Sequence, residues 1–288
     1  WGMLLPMAMP AYIIAYVYTD ILEYAGPVQA ALRELFGWSG KQEYWFPEIR
    51  SLGGAIAMMT LVLYPYVYLL ARASFLEQSV GVFEASRSLG RGPWRSFFSV
   101  ALPLARPGIV IGLSLVLMET LNDFGTVDFF AVNTFSLGIF DVWMNMNNVS
   151  GAAQLATVML LFVAFLVFSE RYARRRQRFH NTSSKFQALP GFQLVGGRGL
   201  AATIACLAPV LLGFVLPTLV LLRYAHQHFD PELSREILGH ALNSVKLSVL
   251  AGTIAVLVAI IMAYSARIKG GKVLMVANQV AAMGYALP

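Results

Sequence analysis

Long apolar runs, separated by shorter polar segments, follow one another along most of this 288-residue chain. A helix that crosses the hydrocarbon core of a bilayer needs about 20 mostly apolar residues. Runs near that length predict seven membrane-spanning helices, at 2–18, 52–71, 108–121, 153–168, 200–222, 245–266 and 273–288. The third run is short, and three explanations stay open: its helix extends to Phe130, tilts, or breaks.

The composition agrees with an all-α, polytopic bundle of transmembrane helices. Hydrophobic residues make up 58% of the chain and charged residues only 12%, whereas soluble domains carry about 25% charged residues. So little charge cannot cover a water-facing surface, and lipid is the expected surroundings. Because the sequence starts at Trp1 and stops at Pro288 inside an apolar run, we expect it to be a fragment.

The net charge of +6 does not indicate nucleic acid, because the basic residues flank the apolar runs. The loops 72–107 and 171–198 and the turn after 266 hold fifteen Lys and Arg residues, against six in the alternate loops. By the positive-inside rule the first set is cytoplasmic. Cys206 is the single cysteine and lies in an apolar run, so no internal disulfide is possible.

The segment 174–199 is the predicted boundary between two parts of the chain. It starts with three arginines, is polar in the middle and is rich in glycine at its end, which is typical of a linker. We therefore divide the chain into 1–173, a cytoplasmic linker at 174–199, and 200–288. The tripeptide at 286–288 resembles the one at 8–10, a weak sign of repeated halves.

The predicted cytoplasmic loop 72–107 contains the most informative motif. Residues 84–89 can form a short helix, and Gly90 with the Gly92-Pro93 pair forces a turn. A second helix is predicted at 96–102, interrupted by Pro103. Such a helix–turn–helix, too polar to span a bilayer, suits docking to a partner, although an ordinary interfacial loop has the same composition.

This motif resembles the EAA loop of permeases of ATP-binding-cassette (ABC) importers. The pattern comprises Glu84, Ala85, Ser86, Gly90, Val100, Leu102 and Pro103. Ser86 stands where the family pattern has alanine, and Val100 where it has isoleucine. The resemblance implies the MetI-like permease fold, and it implies that Glu84, Ala85 and Gly90 contact a separate ATPase subunit.

A narrower resemblance points to ferric-iron permeases, which carry two fused membrane domains in one chain. It rests on three runs, at 44–50, 64–72 and 119–127, and the run 243–248 resembles the start of a permease core. The resemblance implies later spans of a first domain at 1–173, opening spans of a second at 200–288, and iron(III) as cargo. Another small solute, such as thiosulfate, a polyamine or a phosphonate, is the alternative.

Three acids are candidates for the translocation pathway: Glu119, Asp123 and Asp128. Ionisable groups at membrane depth usually face a cavity or a partner. The alternative is that Asp123 and Asp128 have reached the outer interface and are solvated. His226 and His228 are too few for a metal site and are expected to be solvated in a loop.

No Walker A loop, metalloprotease motif or serine nucleophile elbow is present. We therefore expect no catalytic residue, metal or cofactor on this chain, with ATP and Mg²⁺ used by a partner ATPase dimer. The resemblance also implies an extracytoplasmic substrate-binding protein as partner and the bacterial inner membrane as location. A secondary transporter is the rival class, but it would need coupling acids in several spans, whereas these acids cluster at 119–128.

The charge asymmetry predicts that residues near Gln177 and near Asn147 lie on opposite sides of the membrane. Single cysteines at these two positions, with Cys206 replaced, should react with an impermeant maleimide from opposite sides of intact vesicles. Labelling of both positions from one side would overturn the assigned topology.

Overall fold

The computed structural model describes residues 1–175, 194–229 and 231–269, and every element within them is helical, which confirms the predicted all-α class. The α-helices are α1 (Ala11–Leu22), α2 (Pro27–Phe36), α3 (Leu52–Leu76), α4 (Val80–Ser88), α5 (Pro93–Ser96), α6 (Leu102–Asn122), α7 (Gly125–Phe129), α8 (Phe135–Phe140), α9 (Val149–Arg175), α10 (Gly197–Val210), α11 (Leu216–Gln227) and α12 (Pro231–Lys269). Two 3₁₀ helices lie at Gly2–Ala8 and Lys41–Glu43, and three π-helical turns at Phe97–Ala101, Asp141–Asn145 and Leu211–Val215.

Four continuous helical stretches in these residues are long and apolar enough to cross a membrane: Leu52–Leu76, Pro93–Asn122, Gly197–Gln227 and Glu236–Ser265. They contain the predicted spans at 52–71, 108–121 and 200–222, and the fourth stretch covers the predicted span 245–266 up to Ser265. The predicted span at 153–168 corresponds to a shorter apolar helix, Val149–Phe165. The predicted span at 273–288 lies outside the described residues.

The first predicted span, 2–18, is not one straight helix. A 3₁₀ helix ends at Ala8, and α1 starts after Pro10, with a bend of 90° between the two helical segments. Met9 is extended, as the residue before a proline usually is, because the proline ring disfavours helical geometry there. The apolar run alone could not indicate this bend, since it continues through it.

The third predicted span starts about fifteen residues earlier than its apolar run, at Pro93. Pro103 was expected to interrupt a helix, but the helix continues through it. The turn Phe97–Ala101 is π-helical, and the Leu102 N–H donates to the Phe97 carbonyl, five residues back. This wider turn lies immediately before Pro103, which has no N–H to donate and crowds an ordinary α-helical turn. The helix ends at Asn122, so the proposed extension to Phe130 is wrong.

Helices α3 and α6 approach each other closely at two glycines of α6, and the Ser74 side chain of α3 packs against one of them, Gly108. A Cβ atom on Gly112 would lie 2.7 Å from the Cα of Val67, and one on Gly108 would lie 2.8 Å from the carbonyl oxygen of Leu70. Two glycines four residues apart let the backbones approach, as in the Gly-x-x-x-Gly contacts of membrane helices. This crossing joins the two spans on either side of the α4–α5 segment.

The loop 19–51 and the segment after α6 lie at the same end of the bundle, as the charge count requires. The Arg50 guanidinium lies 2.7 Å from the Glu23 carboxylate and 5.0 Å from the centroid of the Phe129 ring. Within the loop, Tyr44 stacks on Trp38 and donates a 2.6 Å hydrogen bond to the Gln29 side chain. These bonds and rings give the loop a packed structure of its own.

The described residues divide into two compact units, Trp1–Thr218 and the residues from Leu219 onward. In the first unit, the π-helical turn after α10 packs on the opening segment, and Tyr18 donates a 2.8 Å hydrogen bond to the Leu212 carbonyl. In the second unit, α12 has 39 residues, about 58 Å at 1.5 Å per residue. Most of the predicted linker lies outside the described residues, and the domain division at 174–199 stays a prediction.

The α3–α6 crossing predicts opposite effects for two glycine substitutions. Gly112→Ala should destabilise the protein by about 1–3 kcal/mol, because the added methyl group overlaps the α3 backbone. Gly138→Ala, at a helical glycine with open space around it, should be neutral or slightly stabilising, because alanine favours helix by about 1 kcal/mol. Unfolding midpoints in mild detergent measure both effects. Equal stability of the two variants would contradict the close crossing.

Candidate functional site

The α4–α5 hairpin, residues 80–96, connects α3 to α6 at the end opposite the loop 19–51. Helix α4 begins at Val80, four residues before the predicted start. It ends with two hydrogen bonds, from the Gly90 N–H to the Arg87 carbonyl and from the Arg91 N–H to the Ser86 carbonyl. Gly90 has φ of +77°. These features form a Schellman motif, which requires a left-handed residue and so favours glycine.

The structure divides the predicted coupling residues into two groups. Glu84, Ala85 and Gly90 are exposed on the hairpin. Next to them, Leu89 and Trp94 leave 78% and 75% of their surface exposed. Such large exposed apolar side chains on a short hairpin are typical of an interaction surface.

Ser86 also lies on the hairpin but is buried, and the three remaining coupling residues lie beyond the hairpin. Val100 is in the π-helical turn, and Leu102 and Pro103 begin α6. All three are half-buried, and they form the base through which the hairpin continues into the membrane span. These three residues lie next to the hairpin and support it, and they are not part of its exposed surface.

Three buried polar side chains lie in the hairpin and in the connection that precedes it: Gln78, Ser86 and Ser96. The hydroxyl groups of Ser86 and Ser96 are 2.8 Å apart in a buried hydrogen bond that joins α4 to α5. The Gln78 amide nitrogen donates a 2.8 Å hydrogen bond to the Ala101 carbonyl. Sequence reasoning missed Gln78 and Ser96. The one available signal was Ser86, which stands where the EAA pattern has alanine.

At the other end of α6, Glu119 and Asp123 line the same cavity, of about 260 Å³. We call it the acidic cavity. The remaining lining residues are Met7, Met9, Pro10, Ala11, Tyr12, Met59, Val62, Leu63 and Tyr66. All of them lie in the described part of the chain, and none is Lys, Arg or His. The structure therefore brings two of the three predicted acids together beside the bend at Pro10.

Asp123 also organises the chain after α6. Its carboxylate accepts hydrogen bonds from the Thr126 N–H and hydroxyl, at 2.9 and 3.0 Å, and from the Val127 N–H at 3.3 Å. Burial raises the pKa of Asp123 above its ordinary value, these hydrogen bonds lower it, and the nearby Glu119 charge raises it further. Asp128 is exposed and does not line the acidic cavity.

Within the described residues, no group of three or more His, Cys, Asp and Glu side chains could hold a metal ion. The ring of His228 is 3.2 Å from the Tyr224 carbonyl in an exposed local hydrogen bond at the end of α11. Both histidines are exposed, but His226 lies in the last turn of α11 and not in a loop as expected.

Comparisons with known proteins agree on one kind of molecule. The family model described as binding-protein-dependent transport system inner membrane component matches residues 2–179. The chain is 28% identical over 177 residues to the molybdenum transport system permease protein ModB of Escherichia coli (strain K12), covering 59% of this chain and 74% of that protein. No solved structure gives a significant match.

Two further relatives carry other cargo in their names. The Fe(3+)-transport system permease protein FbpB 2 of Haemophilus influenzae is 32% identical over 130 residues, which cover 45% of this chain and 26% of that protein. The probable sulfate transport system permease protein cysT of Chlorokybus atmophyticus is 29% identical over 174 residues, which cover 57% of this chain and 56% of that protein. The names of these relatives differ in cargo and agree on the permease role.

The Ser86–Ser96 pair predicts a non-additive response to mutation. Ser86→Ala should destabilise the protein by about 1–3 kcal/mol, because it leaves the Ser96 hydroxyl buried without this partner. The double variant Ser86→Ala/Ser96→Ala removes both polar groups and should recover most of the loss. Unfolding midpoints measure the cycle, with Ser88→Ala as the exposed control. A double variant less stable than either single variant would contradict the pairing.

Proposed function

The chain belongs to the family of binding-protein-dependent transport system inner membrane components, and from this premise we propose that it imports iron(III) in an ATP-driven transporter. It is a permease subunit, and its part is to convert the motion of a partner ATPase dimer into alternating access for the cargo. The proposal places it in the bacterial inner membrane, with a substrate-binding protein on the outer side.

The observation that carries this proposal is the α4–α5 hairpin. It presents Glu84, Ala85 and Gly90 beside the exposed side chains of Leu89 and Trp94. An ATPase surface with an apolar cleft would bury these two side chains, and burial of large apolar groups is the main favourable term in such contacts. ATP and Mg²⁺ belong to that partner in this proposal.

One continuous helical stretch links the hairpin to the acidic cavity. It runs from Pro93 to Asn122, 30 residues, which is about 45 Å at 1.5 Å per residue. Displacement of the hairpin by the ATPase would therefore be transmitted along this stretch to Glu119. The bend at Pro10 lies against the same cavity, so movement there would change its shape.

The acidic cavity favours a cation as cargo. Glu119 and Asp123 give it carboxylate oxygens and negative charge, and no cationic side chain lines it. Carboxylates are hard oxygen ligands that suit small, highly charged metal ions. A pathway of this charge supports iron(III), in agreement with the iron-permease resemblance of the runs 44–50, 64–72 and 119–127.

An oxyanion is the second candidate cargo, because the named relatives include permeases for molybdenum and sulfate. Two carboxylates at the cavity would repel a doubly charged oxyanion unless they were protonated. Burial raises the pKa of Asp123 above its ordinary value despite the three hydrogen bonds that lower it, so this carboxyl is protonated more easily than an ordinary aspartate. Neutralising Glu119 should therefore lower uptake if the cargo is iron(III) and should not lower it if the cargo is an oxyanion.

If Glu119 contributes negative charge to a cation pathway, Glu119→Gln should lower iron uptake about tenfold, the factor equivalent to 1.4 kcal/mol. The measurement is ATP-driven uptake of radiolabelled iron(III) into proteoliposomes that contain the full-length permease, its ATPase and its binding protein. Asp128→Asn is the matched control, because this exposed acid lies outside the cavity.

The two cargo proposals separate in this assay. Wild-type uptake of iron and a loss confined to Glu119→Gln support the cation pathway. Uptake of molybdate or sulfate with no uptake of iron, or faster oxyanion uptake in Glu119→Gln, would replace iron by an oxyanion. Normal iron uptake at normal complex yield would remove Glu119 from the pathway.

A further inference from the structure

The α4–α5 hairpin is joined to the two spans in different ways. On the α6 side, α5 continues through the π-helical turn Phe97–Ala101 into α6 without a break. On the α3 side, helix α3 ends at Leu76, and three non-helical residues lead to α4. Gln78 is the middle residue of this connection, and only 7% of its surface is exposed.

The π-helical turn is a point where the hairpin could tilt relative to the spans. A π turn has one residue more per hydrogen-bonded ring than an α turn, and such turns are frequent at functional sites and at helix kinks. The close crossing of α3 and α6 lies further along, at Gly108 and Gly112. Those glycines therefore fix the two spans to each other but do not fix the angle of the hairpin.

The Gln78 side chain connects the α3–α4 connection to the π-helical turn. Its Nε2 atom, on the α3 side, donates a 2.8 Å hydrogen bond to the carbonyl of Ala101, the last residue of the π-helical turn. The stacked rings of Phe75 and Phe97, 5.9 Å apart, add apolar contact between the same two segments. Stacked rings can slide over each other, whereas the hydrogen bond of the Gln78 side chain has a required distance and direction.

The oxygen of the Gln78 side-chain amide makes no such bond. This Oε1 atom is buried and has no hydrogen-bond partner. Burying an unpaired acceptor is unfavourable, and an apolar side chain of similar size would avoid this cost. The hydrogen bond from the Gln78 nitrogen to the Ala101 carbonyl therefore explains why a glutamine stands at this position.

We propose that Gln78 is a positioning residue that fixes the angle between the α4–α5 hairpin and the α3–α6 pair. With its bond to Ala101 in place, the hairpin and the two spans move as one lever when the ATPase closes. Without it, the hairpin tilts at the π-helical turn, and ATP hydrolysis continues without moving the spans. This inference rests on the proposed function of the chain as an ATP-coupled permease.

The test uses Gln78→Met, which keeps the volume and flexibility of the side chain and removes the donor. The full-length permease is reconstituted with its ATPase and binding protein, and iron uptake and ATP hydrolysis are measured together. Iron transported per ATP hydrolysed should fall about tenfold, the factor that one hydrogen bond of about 1.4 kcal/mol contributes to an equilibrium. Complex yield and ATP hydrolysis should stay near wild type. The matched control is Gln154→Met, at an exposed position on α9.

A second measurement does not depend on the cargo. Nitroxide labels at Ser88 on the hairpin and at Leu113 on α6 report the angle between them as a distance distribution. It should be narrow in wild type and in Gln154→Met, and broad in Gln78→Met. Gln78→Glu, which places an oxygen against the Ala101 carbonyl, should broaden it at least as much.

The outcomes separate the two levels of inference. The positioning role would be overturned if Gln78→Met left both the iron transported per ATP and the narrow distance distribution unchanged. It would also be overturned if complex yield, ATP hydrolysis and iron uptake all fell equally. Either result would leave the permease function intact. Absence of any ATP-driven uptake in wild type, for iron, molybdate and sulfate alike, would overturn the proposed function and the role of Gln78 with it.

Discussion

The crossing of α3 and α6 at Gly108 and Gly112 is the contact on which the rest of the structure depends. In a bilayer the lipid tails are as apolar as the side chains, so helices associate mainly through close packing. A Cβ on Gly112 would lie 2.7 Å from the Val67 Cα, so this packing exists only because the two residues are glycines. It joins the spans that carry the hairpin at one end and the acidic cavity at the other.

Prolines constrain the path of the helices. Pro103 lies within a helical stretch that continues through it, and Pro10 lies between two helices at a bend. At Pro103 a π-helical turn lets α6 continue, whereas at Pro10 the chain bends by 90°. The first solution keeps the helical stretch continuous from the hairpin to Glu119, and the second places Met9 and Tyr12 against the acidic cavity. A single helical stretch thus joins the α4–α5 hairpin to the acidic cavity.

Apolar run length and low charge were sufficient to predict the helical class, because the thickness of a bilayer sets the length of the apolar runs. The turn at Gly90 was also predictable, since a left-handed residue there favours glycine. The bend at Pro10 and the start of the long helical stretch at Pro93 were not predictable, because the boundaries of the apolar runs do not coincide with these changes in the backbone. Gln78 and Ser96 were missed because their contacts appear only when α4, α5 and the π-helical turn are brought together. The cavity that Glu119 and Asp123 line depended on tertiary packing in the same way.

The central claim is that the α4–α5 hairpin transmits the work of a separate ATPase. The most direct test is ATP hydrolysis by the reconstituted full-length complex, with and without loaded binding protein, in a Glu84→Arg variant. Glu84 is exposed, so charge reversal should leave the fold intact while weakening the ATPase contact, and stimulation by the binding protein should be lost. Normal stimulation at normal complex yield, with a second disruption at Gly90 equally without effect, would contradict the coupling role of the hairpin.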